Sequence, residues 1–260
     1  MKQLVVFDLD GTLAASKSPL SVELANLMRT LLTVTRVAVI SGGSWTQFQT
    51  QLLASLDADC RFENLYLLPT CGTKLFHFDA QWVEDYSEDL SDDERLMIIA
   101  ALTRALDESG VKVEHVWGEA IEDRGSQVTL SVLGQEAPLS AKKDWDPDFA
   151  KRTKIVSILQ TLLTGFAINM GGTSSIDVTK PGIDKAYGIE KLREHLGIDL
   201  AQMLFAGDAI FEGGNDFPVQ RVGVDSILVR DPSETARVIQ TVIACLGDGT
   251  RQMTAPVYAS

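Results

Sequence analysis

The segment Leu4-Val5-Val6-Phe7-Asp8-Leu9-Asp10-Gly11-Thr12 places two carboxylates two residues apart at the end of an apolar run. In a strand, residues two apart point the same way, so Asp8 and Asp10 lie close together at its C-terminal end. Two such charges repel unless a cation lies between them. Gly11 permits a sharp exit and Thr12 adds a hydroxyl. The same residues also suit an ordinary polar turn, because Asp and Gly are common turn formers. A second apolar run, Met203–Gly207, ends at Asp208, and Asp216 follows a Gly-Gly pair eight residues later. A third, Arg36–Ile40, ends in Ser41-Gly42-Gly43-Ser44, which offers a hydroxyl and free backbone N–H groups. Lys185 opens a helical stretch just before the Asp208 run. Acids gathered at strand ends suit a hard cation such as Mg²⁺, which prefers oxygen ligands. A lysine and a hydroxyl beside them can hold the oxygens of a phosphoryl group. Taken singly, Lys185 suits a solvated helix position, and Ser41-Gly42-Gly43 suits a helix cap.

These groups meet only if their strands are neighbours. Leu4–Phe7 is a continuous apolar run, as in a strand buried on both faces. Leu24, Leu27, Met28 and Leu31 form one face of a helix capped by Ser21. After the Arg36–Ile40 strand, a helix follows from Trp45 to Leu56, then two strands around Pro69 and Gly72. The order βαβα predicts a parallel sheet with helices on its faces, and ligands in such sheets bind outside the carboxyl ends of the strands. The middle of the chain reads differently. Ser91 and Glu94 form a capping box at the start of a long helix. Gln127–Ser131 alternates polar and apolar residues, which predicts an antiparallel strand with one face in water. Pro147 suits the first turn of another helix, and short strands follow in 166–172 and 174–179. The first pattern returns near Gly182 and closes with a helix behind Pro232. The tail from Asp248 shows no period. The expected architecture is α/β: a Rossmann-like parallel-sheet core of residues 1–82 and 183–260, interrupted by an α+β cap of residues 83–182.

Composition narrows the function. The 260 residues are 45% hydrophobic, enough for a real core, with mean hydropathy +0.06. A net charge of −13 and a pI near 4.6 argue against nucleic acid and anionic membrane surfaces as partners. The three cysteines are odd in number and form no CxxC pair, which points to reduced thiols in a cytoplasm. The first apolar run is too short for a signal peptide, and no stretch reaches transmembrane length.

Four elements in one order, "DLDGTL", "ISGG", Lys185 and "GD…GGND", resemble the haloacid dehalogenase superfamily of phosphotransferases. The inserted α/β unit is similar to the cap of its Cof-type branch. "GGS", "SSIDVTKPGIDK" and "GDAIFEGGND" are similar to eukaryotic phosphomannomutases and bacterial sugar-phosphate phosphatases. The resemblance implies a role for each residue. Asp8 is the nucleophile that becomes an aspartyl phosphate, and Asp10 is the general acid/base. Ser41 and Lys185 steady the phosphoryl group, helped by Thr12, Gly42 and Gly43. Asp8, the main-chain carbonyl of Asp10, and Asp208 hold Mg²⁺, with Asp216 as a further ligand or a supporting acid. In the cap, Arg124 matches an arginine that grips the distal phosphate, while Ser175 and Asp177 line the sugar. A second cap arginine of the mutases is Gln135 here, and a third is absent, with Lys142 and Lys143 nearby. Lysine does not reproduce a bidentate grip. These features imply a Mg²⁺-dependent phosphatase of a small phosphorylated metabolite, such as a sugar phosphate. The alternative is a phosphohexomutase. The expected assembly is a monomer or homodimer.

Overall fold

The computed structural model describes residues 1–247; the expected aperiodic tail and the last residues assigned to the core lie outside them. Its strands and helices are numbered in chain order. Strands β1 (Leu4–Asp8), β2 (Arg36–Ile40) and β3 (Leu65–Leu68) run parallel, with α1 (Val22–Leu31) and α2 (Trp45–Gln51) between them. Two antiparallel strands, β4 (Lys74–Asp79) and β5 (Gln81–Ser87), extend the edge. The chain then enters a second unit made of α3 (Asp92–Ser109), β6 (Ile121–Asp123), β7 (Gln127–Ser131), α4 (Leu139–Trp145), α5 (Ala150–Leu162), β8 (Ala167–Gly171) and β9 (Ser175–Thr179). It returns through α6 (Lys185–Leu196), β10 (Met203–Gly207), α7 (Phe217–Arg221), β11 (Asp225–Leu228) and α8 (Pro232–Leu246).

The main sheet has the order β11-β10-β1-β2-β3-β4-β5, and the cap sheet the order β6-β7-β9-β8. Strand β1 is flanked by β10 and β2, so the residues following all three strands share one edge. All five residues of β1 are buried, as its unbroken apolar run requires. Val5 and Phe7 pack toward α1 and α8, and Leu4 and Val6 toward α6. A separate apolar core joins the cap sheet to α3 and α5.

Three expectations need correction. The boundary at residue 82 falls inside β5, which pairs with β4, so the core sheet continues to Ser87. Strand β7 has no wet face: all five residues are buried, because its polar side chains turn toward the other domain and β9. Gln127 donates to the Gly42 carbonyl at 3.1 Å and Thr129 to Asp177 at 2.7 Å, while Ser131 pairs with Ser175 at 3.0 Å. Alternation reports two different surroundings, and here the polar one is a cleft. Pro147 precedes α5 without entering it. Instead Phe149, at φ +61°, starts the helix, and Asp146 accepts from the Lys151 and Arg152 backbone N–H groups.

Candidate active site

The edge shared by β1, β2 and β10 carries the acids and the lysine. Asp8 ends β1, Asp208 follows β10, and Asp216 lies beyond the loop that starts there. One oxygen from each lies within 4.8 Å of the others. Lys185, at the first turn of α6, reaches both Asp8, 177 residues away in sequence, and Asp216, 31 residues away, at 2.5 Å each. Burial would lower its pKa, but the two carboxylates overcome that and raise it, so the amine stays charged. Burial, with Asp216 and Asp208 adding repulsion, raises the Asp8 carboxyl despite Lys185. Burial and Asp216 lift Asp208 to about 6. Such a cluster asks for one more positive charge. Its all-oxygen donor set and clustered acids fit a hard divalent cation such as Mg²⁺. Asp8 and Asp208 have the oxygens to offer; Asp216 is engaged with Lys185 and with the Ala209 N–H at 2.9 Å. Gly11, at φ +90°, lets the chain pass Asp208, because a Cβ there would come within 2.2 Å of its carboxylate.

Asp10 is turned away from this cluster. Its two oxygens accept from the Lys17 N–H at 2.8 Å, Gln47 at 2.7 Å and Gln51 at 3.0 Å. The two glutamines sit one turn apart on α2 and are linked at 2.9 Å, so they clamp the carboxylate in one orientation. Ser41 is buried beside Asp8 and accepts from the Gly43 N–H at 3.1 Å, which leaves its own hydroxyl hydrogen free to donate. Thr12 is not brought to the cavity. The turn at Gly11 folds it into the interior, where its hydroxyl has no partner.

A cavity of about 320 Å³ separates the sheet edge from the cap. The core lines it with Asp8, Asp10, Ser41, Gly42, Gly43 and Asp208; the cap adds Arg124, Lys142, Ser175 and Asp177. Burial raises the Asp177 carboxyl against the pull of Arg124 and Thr129. Arg124 bridges the halves, with two donors on Glu122 and one on the Gly42 carbonyl. Lys17 and Lys142 converge on Gln135: both donate to its carbonyl, at 3.1 and 3.2 Å, and Lys17 also to its side-chain oxygen. Lys142 is buried and Lys143 exposed, so only the former faces the cleft. Withdrawal from water, with the charges of Lys142 and Arg124, lowers the Lys17 amine to about 8. Three cations therefore crowd the cap side of the cavity that holds the nucleophile candidate.

Sequence reasoning missed Lys17, Gln47 and Gln51. Lys17 lies in a loop without periodicity. The i, i+4 spacing of the glutamines was readable, but nothing marked that face as buried.

The sequence model of the eukaryotic phosphomannomutase family matches residues 24–245. The chain belongs to that family. Its members are phosphotransferases of the haloacid dehalogenase superfamily. Phosphomannomutase of Spinacia oleracea is 26% identical over 222 residues, covering 83% of this chain and 85% of the relative. Phosphomannomutase 2 of Dictyostelium discoideum is 23% identical over 246 residues, covering 91% and 94%. Among solved structures, IMP-bound, N-terminally truncated IMP-nucleotidase of Plasmodium falciparum superposes with a TM-score of 0.64 at 19% identity, covering 94% of this chain and 68% of that one. A haloacid dehalogenase-like hydrolase from Bacteroides thetaiotaomicron gives 0.62 at 16% identity, covering 93% and 100%. These two likenesses establish the fold. Among the described residues, no helix is long and apolar enough to cross a membrane.

Proposed function

We propose that the protein is a Mg²⁺-dependent phosphohexomutase that shifts a phosphoryl group between two hydroxyls of a hexose through Asp8. The observation that carries this reading is the cation cluster of Lys17, Arg124 and Lys142, in the cleft that also holds Asp8. A mutase must grip one phosphate while the other reacts. A cleft with cations at its cap side and a nucleophile at its core side suits that task, and the phosphomannomutase relatives support it.

The Asp8 carboxylate attacks phosphorus, and the bond from phosphorus to the sugar oxygen breaks. Asp10, held by Gln47 and Gln51, gives that oxygen its proton. With the hexose bisphosphate as donor, this leaves a hexose monophosphate and the aspartyl phosphate. The free hydroxyl of a hexose monophosphate then attacks that phosphorus, Asp10 takes the hydroxyl's proton, and the bond from phosphorus to Asp8 breaks. The bisphosphate so formed turns over to present its other phosphate to Asp8. Lys185, the Ser41 hydroxyl and the Gly42 backbone N–H hold the phosphoryl oxygens, while the Gly43 N–H orients Ser41. Asp8 and Asp208 would hold Mg²⁺, which would supply the positive charge that lets an anionic nucleophile meet an anionic phosphate.

Gln135 favours a second reading, hydrolysis, which the sequence put first. A neutral amide stands where the mutases carry an arginine, and lysine grips a phosphate at one point. One assay separates the two readings. Hexose 1-phosphate, Mg²⁺ and a trace of hexose 1,6-bisphosphate are supplied, and hexose 6-phosphate and inorganic phosphate are followed together. Isomerisation faster than phosphate release is expected. Faster release would replace the mutase reading with the phosphatase one, and neither product would overturn both.

A further inference from the structure

Each carbonyl of the phosphate loop Ser41-Gly42-Gly43 accepts a hydrogen bond. The core holds the outer two: the Cys71 N–H donates to Ser41 at 2.9 Å and the Thr70 N–H to Gly43 at 3.0 Å. The cap holds the middle one. Gln127 on β7 donates to the Gly42 carbonyl at 3.1 Å, and Arg124 donates to it as well. Arg124 lines the cavity, where a phosphate competes for it. Gln127 is fully buried and stays with the carbonyl.

In a trans peptide the carbonyl and the following N–H point in opposite directions. Turning the Gly42 carbonyl toward Gln127 therefore aims the Gly43 N–H the other way, onto the Ser41 Oγ at 3.1 Å. Ser41 then keeps its own hydrogen for the phosphoryl group. Glycine on both sides of this peptide leaves no Cβ to resist its turning over. A flipped plane would present an oxygen to Ser41 and draw that hydrogen off.

The Gln127 amide has one orientation. Thr129 gives its hydrogen to Asp177 at 2.7 Å, so its oxygen accepts from Gln127, at 2.9 Å, and both amide hydrogens of Gln127 are committed. The Gln127 side-chain oxygen is buried with no partner among the described residues. A buried, unpartnered acceptor destabilises a fold. Stability therefore does not explain Gln127, whereas the donor it supplies to Gly42 does.

We infer that Gln127 is a positioning residue, through which the closed cap sets the Gly42–Gly43 peptide and, by way of it, the Ser41 hydroxyl. The inference rests on the reading above that Asp8 takes the phosphoryl group, and it holds for mutase and phosphatase alike. Cap closure and a working phosphate loop are thereby linked.

The probe is beryllium fluoride with Mg²⁺, which forms a phosphoryl-like adduct on a carboxylate without turnover. Its affinity is followed by fluorine NMR in the native protein, Gln127→Met, Ser41→Ala and the double variant. Gln127→Met should weaken the adduct about three- to tenfold, the worth of one ordinary hydrogen bond. Ser41→Ala should weaken it at least as much. Adding Gln127→Met to Ser41→Ala should cost less than about twofold more, because Gln127 acts through Ser41. Tm of Gln127→Met should be unchanged or higher, since the unpartnered oxygen has gone. Gln127→Glu keeps the shape but donates to the Gly42 carbonyl only while protonated, so its adduct should weaken with rising pH more than the native one does. Native affinity or a lowered Tm in Gln127→Met, additive losses in the double variant, or no added pH dependence in Gln127→Glu would each overturn the inference and leave the Asp8 reading standing. Failure of the native protein to bind beryllium fluoride would overturn the reading and the inference together.

Discussion

Lys17 offers the sharpest test of the distal anion site. Its amine titrates near 8, pulled down by withdrawal from water and by Lys142 and Arg124, so its charge changes across the working range. At that value it is about 90% protonated at pH 7 and about 10% at pH 9. If a distal phosphate needs the ammonium form, KM should rise about tenfold between those values, with the steepest change near pH 8. Bound anion should in turn pull the amine back up, so binding near pH 8 should take up a proton. The assay is initial-rate kinetics with hexose 1-phosphate from pH 7 to 9. Acetyl phosphate, which has no distal group, serves as the control and should show a flat KM. Lys17→Met should raise KM at pH 7 and flatten its pH profile, because the titrating charge has gone. A flat KM in the native protein, or the same slope in Lys17→Met, would refute the assignment.

Asp8→Asn should abolish phosphoryl transfer with the fold intact, checked by loss of turnover alongside an unchanged circular dichroism spectrum. Chelation of divalent cations should stop activity, and Mg²⁺ should raise Tm at pH 7 by relieving the repulsion among Asp8, Asp208 and Asp216. Asp208 lies at about 6 in the folded protein and near 3.8 unfolded, so the folded state holds its proton longer. Its contribution to metal-free stability therefore falls as pH rises through that window. Asp208→Asn should gain Tm relative to the native protein from pH 4 to 6, and a constant difference would contradict this. Gln51→Leu should lower kcat for sugar phosphates about 10- to 100-fold by freeing Asp10, with KM little changed. p-Nitrophenyl phosphate, whose leaving group needs no proton, should be spared, and an equal loss on both substrates would count against the clamp. Gly188→Ala should destabilise the protein by about 1–3 kcal/mol in urea unfolding. Its Cβ would come within 2.7 Å of the Cys71 carbonyl and 3.0 Å of the Gly72 Cα.

The core was legible because its signals are local. An unbroken apolar run means a strand buried on both faces, and β1, β2 and β10 obeyed that rule. Each ends where a chemical group begins, so the acids could be placed at strand ends before their neighbours were known. The capping box at Ser91 and Glu94 was legible for the same reason, because its partners are three residues apart. The polar positions of β7 were legible as a pattern but not in meaning. Periodicity says that two faces differ; it does not say whether the polar one meets water or a cleft.

By itself, then, the sequence determined the strand-end chemistry, since residue type and spacing of two along a strand fix which side chains sit together. Only the tertiary structure decided what serves each group. It set Lys185 between Asp8 and Asp216, clamped Asp10 with two glutamines, and brought Lys17 of the core to Gln135 and Lys142 of the cap, 118 and 125 positions away. Such contacts join separate elements and carry no period in the chain. They arise where two units, each folded around its own apolar core, meet at the sheet edge through polar contacts such as Gln127 and Arg124 on the Gly42 carbonyl.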